Sequence, residues 1–365
     1  MDPLYDRVLA YIADASADHF EPLALAVFRH QFEHSLPYQR FCLSRGASPE
    51  RVADWQDIPA VPIVAFKRAA LCCGPARRLF RSSGTTAGSE TRSRHLLPEP
   101  RLYQTSALTG LRQGLFPDQP RMRMVSLIAP VAALPESSLA QMVAWGLAEF
   151  GAADSGYVAD ADGLDVEALI ETLHGSEGDG RPLAILTTTG ALIRVFDALI
   201  ARRLTFRLPH GSRLMDTGGA KGAPRQLSRN GLLHAVWRTF AIPGYFCVNE
   251  YGMAELSSQY YDSPIADRVR GRHAQRRKLV PHWARVSVLD PISLAPQPPG
   301  MPGVLRHVDL ANAGSALAVL SEDLGMVIGN GFELLGRVPG AEMRGCSLTA
   351  AAWSSDTPPS AVLPA

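Results

Sequence analysis

The stretch Leu183-Ala184-Ile185-Leu186-Thr187-Thr188-Thr189-Gly190-Ala191-Leu192-Ile193-Arg194-Val195-Phe196-Asp197-Ala198-Leu199-Ile200-Ala201 changes its period part-way. Leu183–Thr187 is an almost continuous apolar run, the pattern of a buried strand. Over Ala191–Ala201 the apolar residues recur at helical spacing. The same exchange of periods recurs on both sides. Met124–Ala129 predicts a strand and Ser138–Phe150 a helix. Leu214 and Met215 predict a short strand, Leu227–Phe240 a helix and Tyr245–Val248 another strand. Repeated strand–helix units predict an α/β fold, with parallel sheets covered by helices.

Farther out the pattern differs. Leu4, Val8, Leu9 and Ile12, then Leu23, Val27, Phe28 and Phe32, fall at helical spacing. From Trp55 to Phe80 the chain is broken by Pro59, Pro62, Gly74 and Pro75, which predicts loops and short pieces. After Ser263 come short strand-like runs: Val286–Leu289, Gly303–Val308, Leu317–Leu320, Met326–Ile328 and Phe332–Leu335. The expected organisation is a helical segment over 1–80 packed on the core, an α/β core over 81–262, a β-rich subdomain over 263–348 and a flexible tail over 349–365.

Composition limits the functions available. Of 365 residues 46% are apolar and 19% charged, and the formal net charge is +1. That balance carries no electrostatic footprint for nucleic acid. No run is long and apolar enough to span a membrane, and the acidic N-terminus does not resemble a secretory leader. Cys42, Cys72, Cys73, Cys247 and Cys346 are odd in number and lack metal-binding spacing. Reduced thiols in a cytoplasmic protein are expected.

Three stretches suggest chemistry. Seven of the nine residues in Arg81-Ser82-Ser83-Gly84-Thr85-Thr86-Ala87-Gly88-Ser89 are Ser, Thr or Gly. Such a loop can turn backbone N–H groups and hydroxyls onto phosphate oxygens, although the same composition also makes a plain loop. It matches neither a Walker loop nor a nucleophile elbow. Asn249-Glu250-Tyr251-Gly252-Met253-Ala254-Glu255 follows an apolar strand, at the end where open α/β sheets bind ligands. There Tyr251 can stack on a base and Glu255 can hold Mg²⁺, or the two can serve as packing and a surface charge. The third signal is distributed over Asp216-Thr217-Gly218-Gly219-Ala220, Ser321-Glu322-Asp323-Leu324-Gly325 and Gly336-Arg337. Each alone reads as a turn.

In this order the motifs resemble the adenylate-forming superfamily of acyl-CoA synthetases, luciferases and peptide-synthetase adenylation domains. Within it, the chain is most similar to the acyl-protein synthetase family. That likeness extends through Tyr38-Gln39-Arg40-Phe41-Cys42, Ala65-Phe66-Lys67, Ser93-Arg94-His95, Gly252–Gln259, Asp309-Leu310-Ala311-Asn312 and Arg344-Gly345-Cys346-Ser347. The resemblance implies ATP-dependent activation of a carboxylic acid to an acyl-adenylate, followed by acyl transfer to a thiol or other nucleophile. A catalytically weak nucleotide-binding scaffold and a ligase acting on CoA or a carrier protein are the alternatives. The implied phosphate-binding residues are Ser82, Ser83, Gly84, Thr85 and Thr86. The implied nucleotide-binding residues are Gly218, Gly219, Ala220, Tyr251, Asp323 and Arg337, with Asp323 on the ribose. Glu255 is the implied Mg²⁺ ligand and catalytic carboxylate. The acceptor is a protein thiol, a carrier protein or CoA.

This sequence departs from the superfamily pattern in three places. The phosphate loop lacks its usual Pro-Lys, leaving Arg92 or Arg94 to supply a cation. Ala254 stands where a threonine hydroxyl usually meets the α-phosphate. The full C-terminal lysine domain is expected to be absent. His95 polarises a phosphate or caps a turn. Cys346 accepts the acyl group or is an inert thiol. Arg268, Arg270, Arg272, Arg276, Arg277 and Lys278 form a solvated charge run or a docking patch for an acidic partner.

Overall fold

The computed structural model describes residues 2–82, 92–218 and 227–337. In chain order these form α1 (Pro3–Ala13), α2 (Phe20–His34), α3 (Leu36–Ser44), β1 (Val61–Pro62), α4 (Ala65–Arg68), β2 (Arg78–Arg81), β3 (Arg94–Leu97) and α5 (Pro100–Gly114). Next come β4 (Arg123–Ser126), α6 (Ser138–Phe150), β5 (Gly156–Tyr157), α7 (Val166–Asp179), β6 (Leu183–Thr188), α8 (Thr189–Ala201), β7 (Arg213–Thr217), α9 (Arg229–Phe240) and β8 (Cys247–Tyr251). The chain then forms β9 (Tyr260–Tyr261), α10 (Pro264–Val269), β10 (Lys278–Leu279), β11 (Ala284–Leu289), β12 (Gly303–Asp309), β13 (Ala318–Ile328) and β14 (Gly331–Arg337). No helix among the described residues is long and apolar enough to cross a membrane.

The chain divides into two compact units. One takes the chain up to Thr109, Met253–Gln259 and the chain from Arg277 onward; the other takes Gly110–Gly252 and Tyr260–Arg276. In the first, β10-β14-β13-β12-β11 form an antiparallel sheet, and β1 adds to β13 in parallel. Helix α2 buries Leu23, Val27 and Phe28. Its buried Gln31 donates to the carbonyls of Asn312 and Ala313 at 2.9 and 3.0 Å and accepts from the Leu317 amide at 2.9 Å. One polar side chain thus satisfies backbone groups that burial would otherwise orphan. β2 and β3 form a separate two-stranded ladder.

In the second unit the strand order is β5-β4-β6-β7-β8-β9, parallel except for β9. The chain goes from β4 to β5 on one side, then returns across β4 to β6. Right-handed crossovers therefore place α6 on one face and α7, α8 and α9 on the other. The helices begin where cap chemistry dictates. Ser137, Asp165, Thr188 and Ser228 each accept a backbone N–H in the first turn of the helix that follows.

Three elements differ from the pattern-based expectation. The strand expected at Tyr245–Val248 is a 3-10 turn over Gly244–Phe246 followed by β8, which runs to Tyr251 because its pairing with β7 continues through Thr217↔Glu250. Leu317–Leu320 and Met326–Ile328 belong to one strand, β13, whose ladder passes through polar Ser321-Glu322-Asp323 and shifts register at Leu324/Gly325. β7 is longer than its apolar centre. Its first residue, Arg213, is buried and pairs with Asp118 at 2.7 and 3.0 Å.

Helix α5 ends on Gly114. A Cβ there would fall on Cβ and Cγ of Tyr261, well inside van der Waals contact. Alanine normally favours a helix over glycine by ~1 kcal/mol. Here Gly114→Ala should destabilise by about 1–3 kcal/mol through overpacking. Urea unfolding monitored by Trp fluorescence checks the sign; an unchanged or raised midpoint would contradict the assignment.

Candidate active site

In the first unit the site is built on the β2/β3 ladder. Its register pairs Arg81 with Arg94 and Phe80 with His95. Ser82 and Ser93 extend it: the Ser82 amide donates to the Ser93 carbonyl at 3.2 Å, and the Ser93 amide to Ser82 Oγ at 3.0 Å. Arg92 Nε donates to the Ser82 carbonyl at 2.5 Å, so Arg92 locks the base of the Ser/Thr/Gly loop. Ser83, Gly84, Thr85 and Thr86 lie outside the described residues.

His95 and Ser93 both face the segment carrying Glu255. His95 Nδ1 bonds the Ala254 carbonyl at 2.8 Å. A carbonyl can only accept, so Nδ1 carries the proton. The ring is fully buried, and desolvation pushes its pKa down to about 4. His95 is therefore neutral near pH 7. Its Nε2 is buried without a hydrogen-bond partner among the described residues, presents a lone pair and has no proton to donate.

Glu255 is buried, and desolvation raises its pKa above the usual glutamate range. The Ser93 hydroxyl and the charges of Lys67 and Arg337 oppose that rise. Lys67 lies on the four-residue α4. In the sequence it stands within Ala65-Phe66-Lys67, a stretch to which the motifs assign no role. Only tertiary proximity brings its charge to Glu255. Arg94 alternates to the ladder face opposite Ser93 and His95. Asp323 meets Arg337 at 3.3 Å, with 15% of its side chain exposed.

Asp309 and Asn312 hold the turn that bears Glu255. Asn312 Nδ2 donates to the Glu255 carbonyl at 3.0 Å, and the Ser257 amide donates to Asn312 Oδ1 at 2.8 Å. Asp309 accepts from the Ser258 amide at 2.9 Å and the Ser258 hydroxyl at 2.6 Å. Trp283 Nε1 reaches the same hydroxyl at 2.8 Å. Burial pushes the Asp309 carboxyl up to about 6.

In the second unit the candidate residues lie at the carboxyl ends of β7 and β8. Asp216 accepts from Arg229 at 2.6 Å, Thr189 at 2.8 Å and Asn249 at 3.0 Å. Gly218 follows with φ +73°, a left-handed turn residue whose carbonyl accepts from Thr189 at 2.9 Å. Tyr251 is buried, with its ring 6.0 Å from that of Tyr260. Gly219, Ala220 and Cys346 lie outside the described residues.

The family profile for acyl-protein synthetase, LuxE, matches residues 4–352. The chain belongs to the acyl-protein synthetase family. A curated relative, the long-chain-fatty-acid–luciferin-component ligase of Vibrio harveyi, is 21% identical over 343 residues, covering 90% of this chain and 86% of its own. Two solved structures share the fold. A 2-hydroxyisobutyryl-CoA ligase with 2-HIB-AMP in the postadenylation state has a TM-score of 0.64 at 16% identity, covering 89% of this chain and 68% of that one. ATP-bound MatB of Rhodopseudomonas palustris gives 0.50 at 15% identity, with 74% and 49% covered. This acyl-protein synthetase family member is an enzyme of the adenylate-forming ligase type, with the α/β fold of that class.

The buried neutral histidine has a consequence for stability. Below pH 6.5 the unfolded chain protonates His95, while the folded chain resists until about pH 4. The unfolded state binds the extra proton, so stability falls as pH falls through that window, by roughly 1.4 kcal/mol per unit for this group. Denaturant titrations from pH 7 to 4 should show a shallower loss in His95→Asn than in wild type. Equal slopes would contradict a neutral buried His95.

Proposed function

We propose that the chain joins a carboxylic acid to AMP at Glu255 and the Ser82 loop, and then passes the acyl group to a thiol outside the residues described. In the first step a substrate carboxylate oxygen attacks the α-phosphorus of ATP. The new O–P bond forms as the bond to the β-phosphate oxygen breaks, and pyrophosphate leaves. In the second, a thiolate sulfur attacks the acyl carbon, the C–S bond forms, and AMP leaves with the electron pair of the broken C–O bond.

The observation that carries this reading is the buried Glu255 carboxylate, which has Ser93 as a hydrogen-bond partner and cationic charge nearby. Mg²⁺ fits there: it commonly takes one or two protein carboxylates together with substrate phosphates, and it would offset the desolvation that now penalises ionised Glu255. Mg²⁺ would neutralise phosphate charge. Lys67 supplies the cation that the loop's missing lysine would otherwise provide. His95, through the Ala254 carbonyl, fixes the backbone preceding Glu255. Asp323 takes the ribose hydroxyls, and Arg337 orients Asp323. Positioning and charge stabilisation account for most of the rate.

Four cysteines do not suit the acceptor role. Burial pushes Cys42 and Cys247 up to about 12, Cys72 to about 11 and Cys73 higher still. Their thiolate fractions near neutral pH are too small for efficient attack. That leaves Cys346 or an external thiol, and an external thiol is the proposal.

Pyrophosphate exchange with a panel of carboxylic acids tests the first step. Glu255→Gln and Lys67→Ala should each lower exchange by about two to three decades with the active acid. Asp323→Ala should weaken ATP binding by about 2–4 kcal/mol. Failure of every acid to support exchange, or full activity in Glu255→Gln, would defeat the reading. For the second step, protein incubated with ATP, Mg²⁺ and the labelled acid should release label as acyl-adenylate. Hydroxylamine-labile label that disappears in Cys346→Ser would instead make Cys346 the acceptor.

A further inference from the structure

The cationic run after β9 separates into two parts in the folded chain. Arg276, Arg277 and Lys278 turn inward. Arg276 donates to the carbonyls of Cys247 and Gly244 at 2.7 Å and to Asp262 at 2.8 Å, and Arg277 and Lys278 are buried. Arg268, Arg270, Arg272 and His273 remain exposed. Among the described residues none of these three arginines has a carboxylate partner. By contrast, exposed Arg181 and Arg202 in the same unit each meet one at 2.7 Å.

Arg268, Arg272 and His273, together with Tyr245 and the inward-turned Arg276, line a groove of about 670 Å³, and Arg270 lies next to it in the chain. Among the described residues, Asp267 is the only carboxylate in its lining, and it is buried. Arg268 lies over the Tyr245 ring, 4.5 Å from its centroid, and Tyr245 is 38% exposed. The stacked guanidinium is held in place while its edge stays available to an acceptor. Tyrosine and arginine side by side are the residues that anchor protein interfaces. Arg268, Arg272 and His273 are exposed at the groove, whose cationic side is open to solvent and not enclosed as a small-ligand site would be. In a chain of net charge +1, this concentration is local and unrelieved by neighbours.

The groove lies at the start of β8, and the strand runs from it to Tyr251. At ~3.3 Å per residue, the four steps of β8 put a body docked there about 13 Å from Tyr251 along the strand. A thiol delivered from that distance needs an extended arm. We propose that this groove docks an acidic carrier protein whose acceptor thiol is borne on a flexible prosthetic arm. The proposal rests on the acyl-transfer reading above and names the chemistry of the acceptor.

Arg268→Glu, Arg270→Glu and Arg272→Glu, combined in the full chain, test it, with the three Arg→Gln substitutions as a milder companion. The probe is a holo acyl carrier protein, and binding is measured by calorimetry at low and high salt. Wild type should bind with an affinity that falls as salt rises. The Glu variant should bind at least roughly tenfold more weakly with little salt dependence, and the Gln variant should fall between. Pyrophosphate exchange without the carrier should be unchanged in both variants, because none of the three residues belongs to the adenylation site. Equal carrier affinity in wild type and variants, or no salt-dependent binding by wild type, overturns the proposal. So does loss of CoA binding with carrier binding intact, which would assign the groove to a nucleotide thiol. Absence of exchange in wild type defeats the adenylation reading alone, since the binding measurement does not depend on it.

Discussion

Asp309 accepts two hydrogen bonds from Ser258 inside the protein, and the position of Glu255 depends on them. A buried carboxylate is costly unless donors surround it. Here Ser258 and the Ala311 amide face it, and Asn312 in the following turn holds the Glu255 carbonyl. Removing one partner would leave the others buried and unsatisfied, a larger loss than any single bond contributes. The turn therefore has one arrangement, and it presents Glu255 toward Ser93.

His95 serves the same geometry from the other side. It binds the backbone of Ala254, next to Glu255, and is neutral because it is buried. With alanine at 254, this position of the turn carries no hydroxyl. Glu255 is buried, whereas Lys67 and Arg337 are exposed, so their charges reach its carboxylate only partly screened by solvent. Acidification opposes this design twice, by protonating Glu255 earlier than an ordinary glutamate and by favouring unfolded states in which His95 can charge.

The second unit reaches an ordered site by different means. Parallel strands place their carboxyl ends together, and the Asp216–Arg229 pair with Thr189 and Asn249 fixes the turn into Gly218. Charged residues inside a sheet obscure its pattern. Arg213 and Asp216 interrupt the apolar run of β7, yet each is buried because a partner neutralises it.

The sequence alone determined the strand–helix alternation, because hydrophobic period is local and follows directly from which face is buried. The starts of α6, α7, α8 and α9 are set just as locally, since Ser137, Asp165, Thr188 and Ser228 cap through side chains within a few residues of the amides they satisfy. Glu255, Asp323 and Arg337 stand out as candidates for a related reason: each occupies a short, ordered signature. Only the tertiary structure decided what lies beside them. Lys67, His95 and the Asp309–Asn312 anchor are far in sequence from parts of the site they serve, and no period or spacing connects them. The same holds for the charge run after β9. Which of its cations turn inward and which face solvent depends on where Asp262 and the carbonyls of Gly244 and Cys247 sit, and chain folding alone sets those positions.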